Sequence, residues 1–489
     1  MKRRIFLNRT TMGAAGIAMG PNLLAQGSSQ SKNIPFLVGT MVMAEDLYEK
    51  GIATELDRMQ ALGAINTVMP FSHNHVARQY KPNYAPKTDK EGRTITDIYV
   101  KTNPKYYKNP EWGYRDPKDL YANRDILDEL GEACAERNMK VYARILEPYV
   151  ITGLIPGLEE YAEVDSTGEK GRNVCYNHPG YIDYWKGVID DLIISHPNLH
   201  GFKFGQERGG PFFEALKNNA VTCFCTHCVE KAKIRGVDAQ RARVGFNAFK
   251  DFSKKAKEGE APIDGYFAAF FRILSEYPET LAYERFSKAS REDQRKRMYA
   301  QIKKLNPAVQ VGWHVDHSMG WSLGMRSFWP YDDMVGHSDW LSIALYFGSM
   351  GRRSYGHFKS NYQNLLFADA DKETAYKMYL SINGMDPEQQ PSLAEQENGG
   401  TEMHAEYVYK EAKRAVDNIN GRAKVYGRIG FDHPGYNTDI QPEQVYEGTQ
   451  EMFRARVDGV FCGREWEELQ EKNTVAFGNA VRDHVKNNR

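Results

Sequence analysis

The chain has 489 residues with 64 basic and 64 acidic side chains, so its formal net charge is zero, which argues against nucleic acid or an anionic membrane surface as the main partner. Aromatic residues make up 12% of it (29 Tyr, 23 Phe and 7 Trp), enough to build a large core, and this excludes a disordered chain. Past the N-terminus no run approaches the roughly 20 apolar residues of a membrane helix, so no membrane insertion is expected.

The first thirty residues read as a separate object. Met1-Lys2-Arg3-Arg4-Ile5-Phe6-Leu7 precedes a Gly/Ala-rich apolar stretch over 11–25 and then polar Gln26-Gly27-Ser28-Ser29, the layout of an export signal. The Arg3-Arg4-x-Phe6-Leu7 run resembles the twin-arginine signal that sends folded proteins across the bacterial membrane, which implies a periplasmic or secreted protein. Residues 31–489 are then expected to form a single catalytic domain.

From residue 34 onward short apolar runs alternate with helical patterns. Strands are predicted at 35–41, 65–71, 140–146, 201–206, 309–315, 340–346, 424–431 and 458–463. Helices are predicted at 45–62, 124–137, 181–194, 291–305, 404–420, 442–457 and 474–485. Strict β-α alternation with eight strands predicts an α/β fold, a (β/α)8 TIM barrel. A doubly wound sheet is the runner-up, but no Gly-rich phosphate loop follows the first strand; no organic cofactor is expected. Long connections over 72–123, 207–290 and 347–403 follow strands two, four and six, and all leave the C-terminal face where barrel active sites are built.

Strand alternation sorts the side chains. It turns Arg144, Lys203, Glu207, Gln310, His314, Asp316, Tyr346, Arg428 and Asp432 inward, with Phe202, Phe204, Trp313, Leu341, Ile343, Leu345, Val425 and Phe431 facing the helices. Carboxylates thus converge at the tops of strands four, five and seven, and a carboxyl pair across a cleft suits cleavage of a glycosidic bond: one protonates the leaving oxygen, the other attacks the anomeric carbon or activates water. Trp313, Trp321, Trp329, Trp466 and Tyr346 near strand ends would stack on sugar rings, and the densest cluster is Arg464-Glu465-Trp466-Glu467. Arg208, Arg428 and Arg464 suit either a carboxylate or sulfate on an acidic sugar, or ion pairs with Glu207, Asp432 and Glu465.

Gln206-Glu207 at the end of strand four resembles the Asn-Glu pair of clan A glycoside hydrolases. The cysteines of Cys223-Phe224-Cys225-Thr226-His227-Cys228 resemble the zinc site of a family of bacterial beta-galactosidases. With His178-Pro179-Gly180, Trp185 and Glu207-Arg208-x-Gly210-Pro211, the stretch 175–245 is similar to a group of exported bacterial barrel glycoside hydrolases. The resemblance implies Glu207 as the acid/base and Gln206 as a hydrogen-bond partner of a sugar hydroxyl. It departs from the clan at strand seven, which ends Gly430-Phe431-Asp432-His433 without a Glu, so Asp432 is the expected second carboxylate, with Asp316, Glu465 and Glu467 as alternatives. Arg144, Glu147, His73, His75, His314, Asp316, Tyr346, Arg428, Arg464, Glu465 and Trp466 are the expected substrate-binding set.

Three cysteines so close suit a structural, tetrahedral zinc with Cys175, Cys134 or His227 as fourth ligand; Cys175 is the preferred one. Two readings compete with the glycosidase. His73, His75, His314 and Asp316 would suit a metal-dependent hydrolase or sugar isomerase, and a non-catalytic carbohydrate-binding barrel would use the same aromatics and cations.

Overall fold

A computed structural model describes residues 34–73, 98–113, 115, 119–146, 155, 157–205, 208–400, 402–433 and 439–488. The twin-arginine segment, His75, Glu147, Gln206 and Glu207 lie outside the described residues.

Eight strands close into a barrel. They are β1 Leu37–Val42, β2 Thr67–His73, β3 Lys140–Leu146, β4 Gly201–Gly205, β5 Gln310–His314, β6 Trp340–Leu345, β7 Lys424–Ile429 and β8 Gly459–Glu465. Each pairs in parallel with its neighbours in sequence, and β1 closes on β8. Helices cover the outside, so every strand is buried on both faces, as parallel sheets require. The predicted strands agree with these to within a few residues, and the expected (β/α)8 barrel is the fold.

The barrel interior is closed by aromatic side chains. Leu37, Met41, Met69, Tyr142, Trp340, Tyr426 and Phe461 form one cluster, with the Trp340 ring 5.2 Å from Tyr426, 5.8 Å from Phe461 and 6.1 Å from Tyr142. So large a side chain fits because Gly312, its register partner on β5, has none: a Cβ there would lie 1.9 Å from the Trp340 ring. A second apolar layer packs the outer strand faces on the helices and includes Phe202, Trp313, Leu341, Ile343, Leu345 and Val425.

The structure departs from the sequence reading in three places. The helix expected over 45–62 is two, Ala44–Lys50 and Ile52–Gly63, because Gly51 sits at φ 92°. The helix expected over 291–305 is Glu279–Leu305, and its first half buries Glu284, Lys288, Arg291 and Glu292 instead of an apolar stripe. Glu292 accepts hydrogen bonds from the indole of Trp329 (2.8 Å) and from His337 (2.6 Å) and faces Arg295 at 3.3 Å, which satisfies the buried charge. Finally, the long connection after β4 is itself ordered. Helices Pro211–Leu216, Thr226–Ile234, Ala239–Lys257 and Tyr266–Glu276 enclose a separate apolar cluster that includes Phe212, Phe246, Phe249, Phe270 and Tyr283. A short antiparallel hairpin, Ala162–Val164 with Lys170–Val174, follows β3.

Gly312→Ala should test the interior packing. A methyl group driven into a fully buried indole is expected to cost about 3 kcal/mol in urea unfolding, whereas Gly336→Ala, where nothing lies within 4 Å of the added atom, should change little.

Candidate functional site at the barrel mouth

A cavity of about 810 Å³ opens at the N-terminal end of the barrel, lined by residues that include Phe36, Asn66, Lys140, His200, Gln310 and Lys424. Barrel enzymes place their chemistry at the other end, where the strands' carboxyl termini and the loops after them meet. There the alternation of each strand delivers charged groups to the axis. Arg144 of β3, Lys203 of β4, His314 of β5, Arg428 of β7 and Glu465 of β8 are all buried. Arg144 and Lys203 are register partners, and Gly205 pairs with His314.

Two contacts organise this layer. The Arg144 guanidinium lies 3.9 Å over the Phe71 ring and reaches the Glu465 carboxylate at 2.8 Å, so a charge from β3 meets a charge from β8 at the mouth. Arg428 places one terminal nitrogen 3.0 and 3.1 Å from the two ring nitrogens of His314, with its guanidinium 4.5 Å from the centre of the Tyr346 ring. Buried ions are costly to desolvate, so a buried charged layer at the strand termini makes the mouth the candidate site.

Arg464 extends the layer outward, pairing with Glu468 at 2.8 Å and with Glu465 at 3.4 Å. It also contacts the ring nitrogen Nε2 of His433, which Arg353 approaches to 2.9 Å. Glu467 is set beside this group, and its carboxylate accepts the Met43 backbone N–H at 3.3 Å. Loss of hydration, reinforced by the charge of Glu465, pushes its pKa up to about 8.

Several expected site residues are employed elsewhere. Asp432 was expected inside the barrel, but β7 ends at Ile429 and Asp432 takes a left-handed φ of 53°, so alternation no longer governs where it points. Its carboxylate accepts the backbone N–H and side-chain amide of Gln470, both at 2.9 Å, and the Asn473 amide at 2.7 Å, which ties the end of β7 to the start of the last helix, Glu471–Asn487. Asp316 caps the turn His317–Gly320 by accepting from the Ser318 N–H (2.8 Å) and hydroxyl (2.7 Å). The Trp466 indole donates to Glu55 at 2.7 Å and is core, as are Trp313, Trp321 and Trp329. Of the aromatics expected to stack on sugar, Tyr346 is the one set against the charged layer.

Among the described residues the rival metal set is not brought together: His73, His314 and Asp316 form no group of ligand atoms within 4.8 Å, and His75 lies outside those residues. Nδ1 of His73 lies 3.2 Å from the Ser72 hydroxyl, and a permanent cation, Arg428, occupies the side of His314 that a metal would use. Among the described residues two groups bring three or more ligand atoms within 4.8 Å: Asp125, Asp128 and His196, and Cys175, Cys223, Cys225 and Cys228. The first is a helix junction, with Asp125 capping Ile126–Ala135 and accepting from His196 at 3.1 Å.

The four cysteines are free thiols that converge from two segments, with Cys175 Sγ 3.4 Å from Cys228 and 3.5 Å from Cys225. Disulfide sulfurs would be about 2.05 Å apart, whereas tetrahedral ligands to a zinc-sized ion sit nearly 4 Å apart. Backbone and amide N–H groups point at the sulfurs: Val164 N to Cys223 at 3.4 Å, Asn177 N to Cys175 at 3.3 Å and Asn177 Nδ2 to Cys228 at 3.2 Å. Such donors stabilise thiolates and orient metal ligands, so the cluster fits a closed structural metal site with Cys175 as fourth ligand. Arg208, which follows Glu207 in sequence, braces this frame. Arg208 donates to the Val174 carbonyl beside Cys175 at 2.7 Å and to Glu163 at 3.2 Å, while its own carbonyl accepts from Arg291 at 3.2 Å.

No protein-family model and no curated relative matches the chain. Among solved structures, a beta-galactosidase from the psychrophilic Marinomonas ef1 aligns with a TM-score of 0.52 at 12% identity, covering 92% of this chain and 59% of its own. A beta-galactosidase from the Antarctic haloarchaeon Halorubrum lacusprofundi gives 0.49 at 11% identity over 92% of this chain and 58% of its own. The PgaB (BpsB) glycoside hydrolase domain from Bordetella bronchiseptica gives 0.47 at 10% identity, over 92% of this chain and 98% of that domain. The chain therefore spans somewhat more than half the length of the two galactosidases, and what it shares with the Marinomonas enzyme is the barrel fold.

Sequence reasoning missed Arg353, His433 and Glu468 as members of the mouth. None stands on a strand, where alternation assigns a direction; the adjacent pair Arg352-Arg353 in the loop after β6 was the only signal available.

The state of Glu467 is testable. A carboxyl group whose folded pKa lies above its unfolded value contributes stability at low pH that fades as pH rises through the folded value. Glu467→Gln lacks that titration, so its urea-unfolding free energy relative to the parent protein should rise steadily from pH 5 to pH 8.

Proposed function

We propose that the protein is an exported glycosidase that cleaves a poly- or oligosaccharide with two carboxyl groups at the barrel mouth, Glu207 as acid/base and Glu465 as the second carboxylate. The observation that carries this is the buried Arg144–Glu465 pair, which holds a carboxylate at the C-terminal mouth on the strand opposite β4 in the barrel order. Glu207 follows β4 by two positions, so the two glutamates belong to strands that face each other across the axis. Asp432 is replaced in this role because its oxygens serve the last helix.

In the reaction Glu207 in its acid form protonates the glycosidic oxygen as the bond to the anomeric carbon breaks. Glu465, an ion-paired carboxylate, either attacks that carbon or takes a proton from the attacking water. Arg144 fixes Glu465, while Arg428, His314, Tyr346 and Lys203 form the polar floor that a sugar would meet. The described fold shared with a beta-galactosidase agrees with this reading. The Arg3-Arg4 signal would export the protein already folded, and that route suits a cysteine site loaded with zinc in the reducing cytoplasm.

Reducing-sugar release from a panel of neutral and acidic glycans tests the chemistry. Glu207→Gln and Glu465→Gln should each lower kcat by roughly a thousandfold or more. Asp432→Asn should keep kcat within about tenfold and instead lose about 2 kcal/mol of stability, because a carboxamide cannot accept all three N–H donors. Equal turnover in Glu207→Gln and the parent protein would sink the two-carboxylate mechanism.

For the cysteine cluster we expect about one zinc per chain by elemental analysis. Cys225→Ser should lower both zinc content and melting temperature. A chelator that leaves the structural zinc in place should not change turnover, because no metal takes part in bond cleavage.

A further inference from the structure

We propose that the cavity at the N-terminal end of the barrel is a second binding site, one that takes a neutral mono- or disaccharide. The inference goes beyond the glycosidase reading and does not depend on it, because the apolar cluster around Trp340 lies between this cavity and the barrel mouth.

One tripeptide, Lys-Val-Tyr, begins both β3 and β7: Lys140-Val141-Tyr142 and Lys424-Val425-Tyr426. In the closed barrel β4, β5 and β6 separate these strands on one side and β8, β1 and β2 on the other, so they face each other across the axis. Alternation turns the Lys and the Tyr of each inward and the Val outward. The cavity, about 810 Å³, is accordingly lined by Lys140 and Tyr142 from one side and by Lys424 and Tyr426 from the other. Its floor is built by close packing. Tyr142 is in register with Gly201 of β4, and Tyr426 with Gly459 of β8. A Cβ at Gly201 would lie 2.8 Å from the Tyr142 ring, and one at Gly459 2.9 Å from the Tyr426 ring. With Gly312 beside Trp340, three strands forgo a side chain so that three aromatic rings can lie side by side across the barrel.

The groups facing this space are polar and of mixed kind. Tyr142 and Tyr426 are buried, at 3% and 7% exposure, and among the described residues neither hydroxyl has a hydrogen-bond partner. Burial and the charge of Asp339 push the Tyr142 phenol up to about 12, and burial with the neighbouring Tyr142 and Asp458 raises that of Tyr426. Both hydroxyls therefore keep their protons and can donate. On the wall the Val141 N–H donates to Nδ1 of His200 at 3.4 Å, which leaves its Nε2–H as a donor, and burial with the charge of Lys140 keeps the ring neutral by lowering its pKa. Lys140 and Lys424 add donors, Asp458 adds an acceptor, and the amides of Asn198 and Gln310 offer both. Such a set matches a ring of hydroxyls, each of which gives one hydrogen bond and accepts others. An anion, which only accepts, would meet the carboxylate of Asp458, and an apolar ligand would leave the two phenols unpaired. The volume lies within the roughly 300–1,000 Å³ of small-molecule sites.

The test is isothermal titration calorimetry on the full chain with galactose, glucose, mannose, lactose and cellobiose, and with inorganic phosphate as the anionic control. At least one saccharide should bind. Tyr142→Phe combined with Tyr426→Phe, which removes two oxygens and keeps both rings, should raise its Kd about tenfold or more. Lys140→Ala combined with Lys424→Ala should weaken the same ligand; both lysines are exposed, so this pair decides the matter if the tyrosine pair lowers stability. Reducing-sugar release by either double variant should match that of the parent protein. A saccharide held at the mouth alone would be blind to both double variants, and that result would overturn the inference. So would the failure of every saccharide to bind, or binding of phosphate in their place. Saccharide binding that depends on these four residues, in a protein that releases no reducing sugar, would remove the glycosidase reading and keep this site.

Discussion

A guanidinium of β3 and a carboxylate of β8, joined across the barrel mouth, hold the upper layer of this structure together. Removing Glu465 would take the ion pair from the buried Arg144, a loss of about 3–5 kcal/mol for such pairs, while Glu465 itself also faces Arg464 at 3.4 Å. The pair therefore fixes more than itself. It pins the end of β8, from which Arg464, Glu467 and Glu468 project, and it presses Arg144 onto Phe71 at the end of β2. The charged mouth is in this sense a continuous object, and Arg144 and Glu465, 321 positions apart in sequence, meet because the closed barrel turns β3 and β8 toward one axis.

Below that layer the barrel is apolar and tightly filled. The indole of Trp340 occupies space that Gly312 leaves, and with Met41, Met69, Tyr142, Tyr426 and Phe461 it forms an apolar plug. This division explains why the large cavity at the N-terminal end is separate from the charged layer: the aromatic plug lies between them. Rigid packing under a polar site is what keeps its side chains in place when a ligand arrives.

Much of this was legible in the residues. Period-two alternation correctly turned Arg144, Lys203, His314 and Arg428 inward and Phe202, Phe204, Trp313 and Leu341 outward, because within a parallel strand direction follows from position alone. The same rule failed at Asp432, one turn of chain past the end of β7, where a left-handed backbone re-aimed the side chain. It failed for the tryptophans too, since loop aromatics near strand ends pack under the loops as readily as they line a cleft. The helix Glu279–Leu305 was half hidden for a different reason: its buried face is written in Glu, Lys and Arg, and such a face is indistinguishable in sequence from a solvated one. Of the cysteine cluster, the three closely spaced members were evident from spacing, but only the folded chain shows that Cys175 joins them and Cys134 does not.

That last arrangement bears on what a bound metal would do for stability. Cys175 and Cys228 are 53 positions apart, and the segment between them includes a barrel helix, all of β4 and the first turn of the inserted helices. A metal ion held by both ends would be a cross-link over that whole length, equivalent in loop-closure entropy to a disulfide worth about 4 kcal/mol. Such a site would act chiefly on the unfolded chain, whose freedom it restricts, and so would favour the fold without adding a contact to the barrel itself.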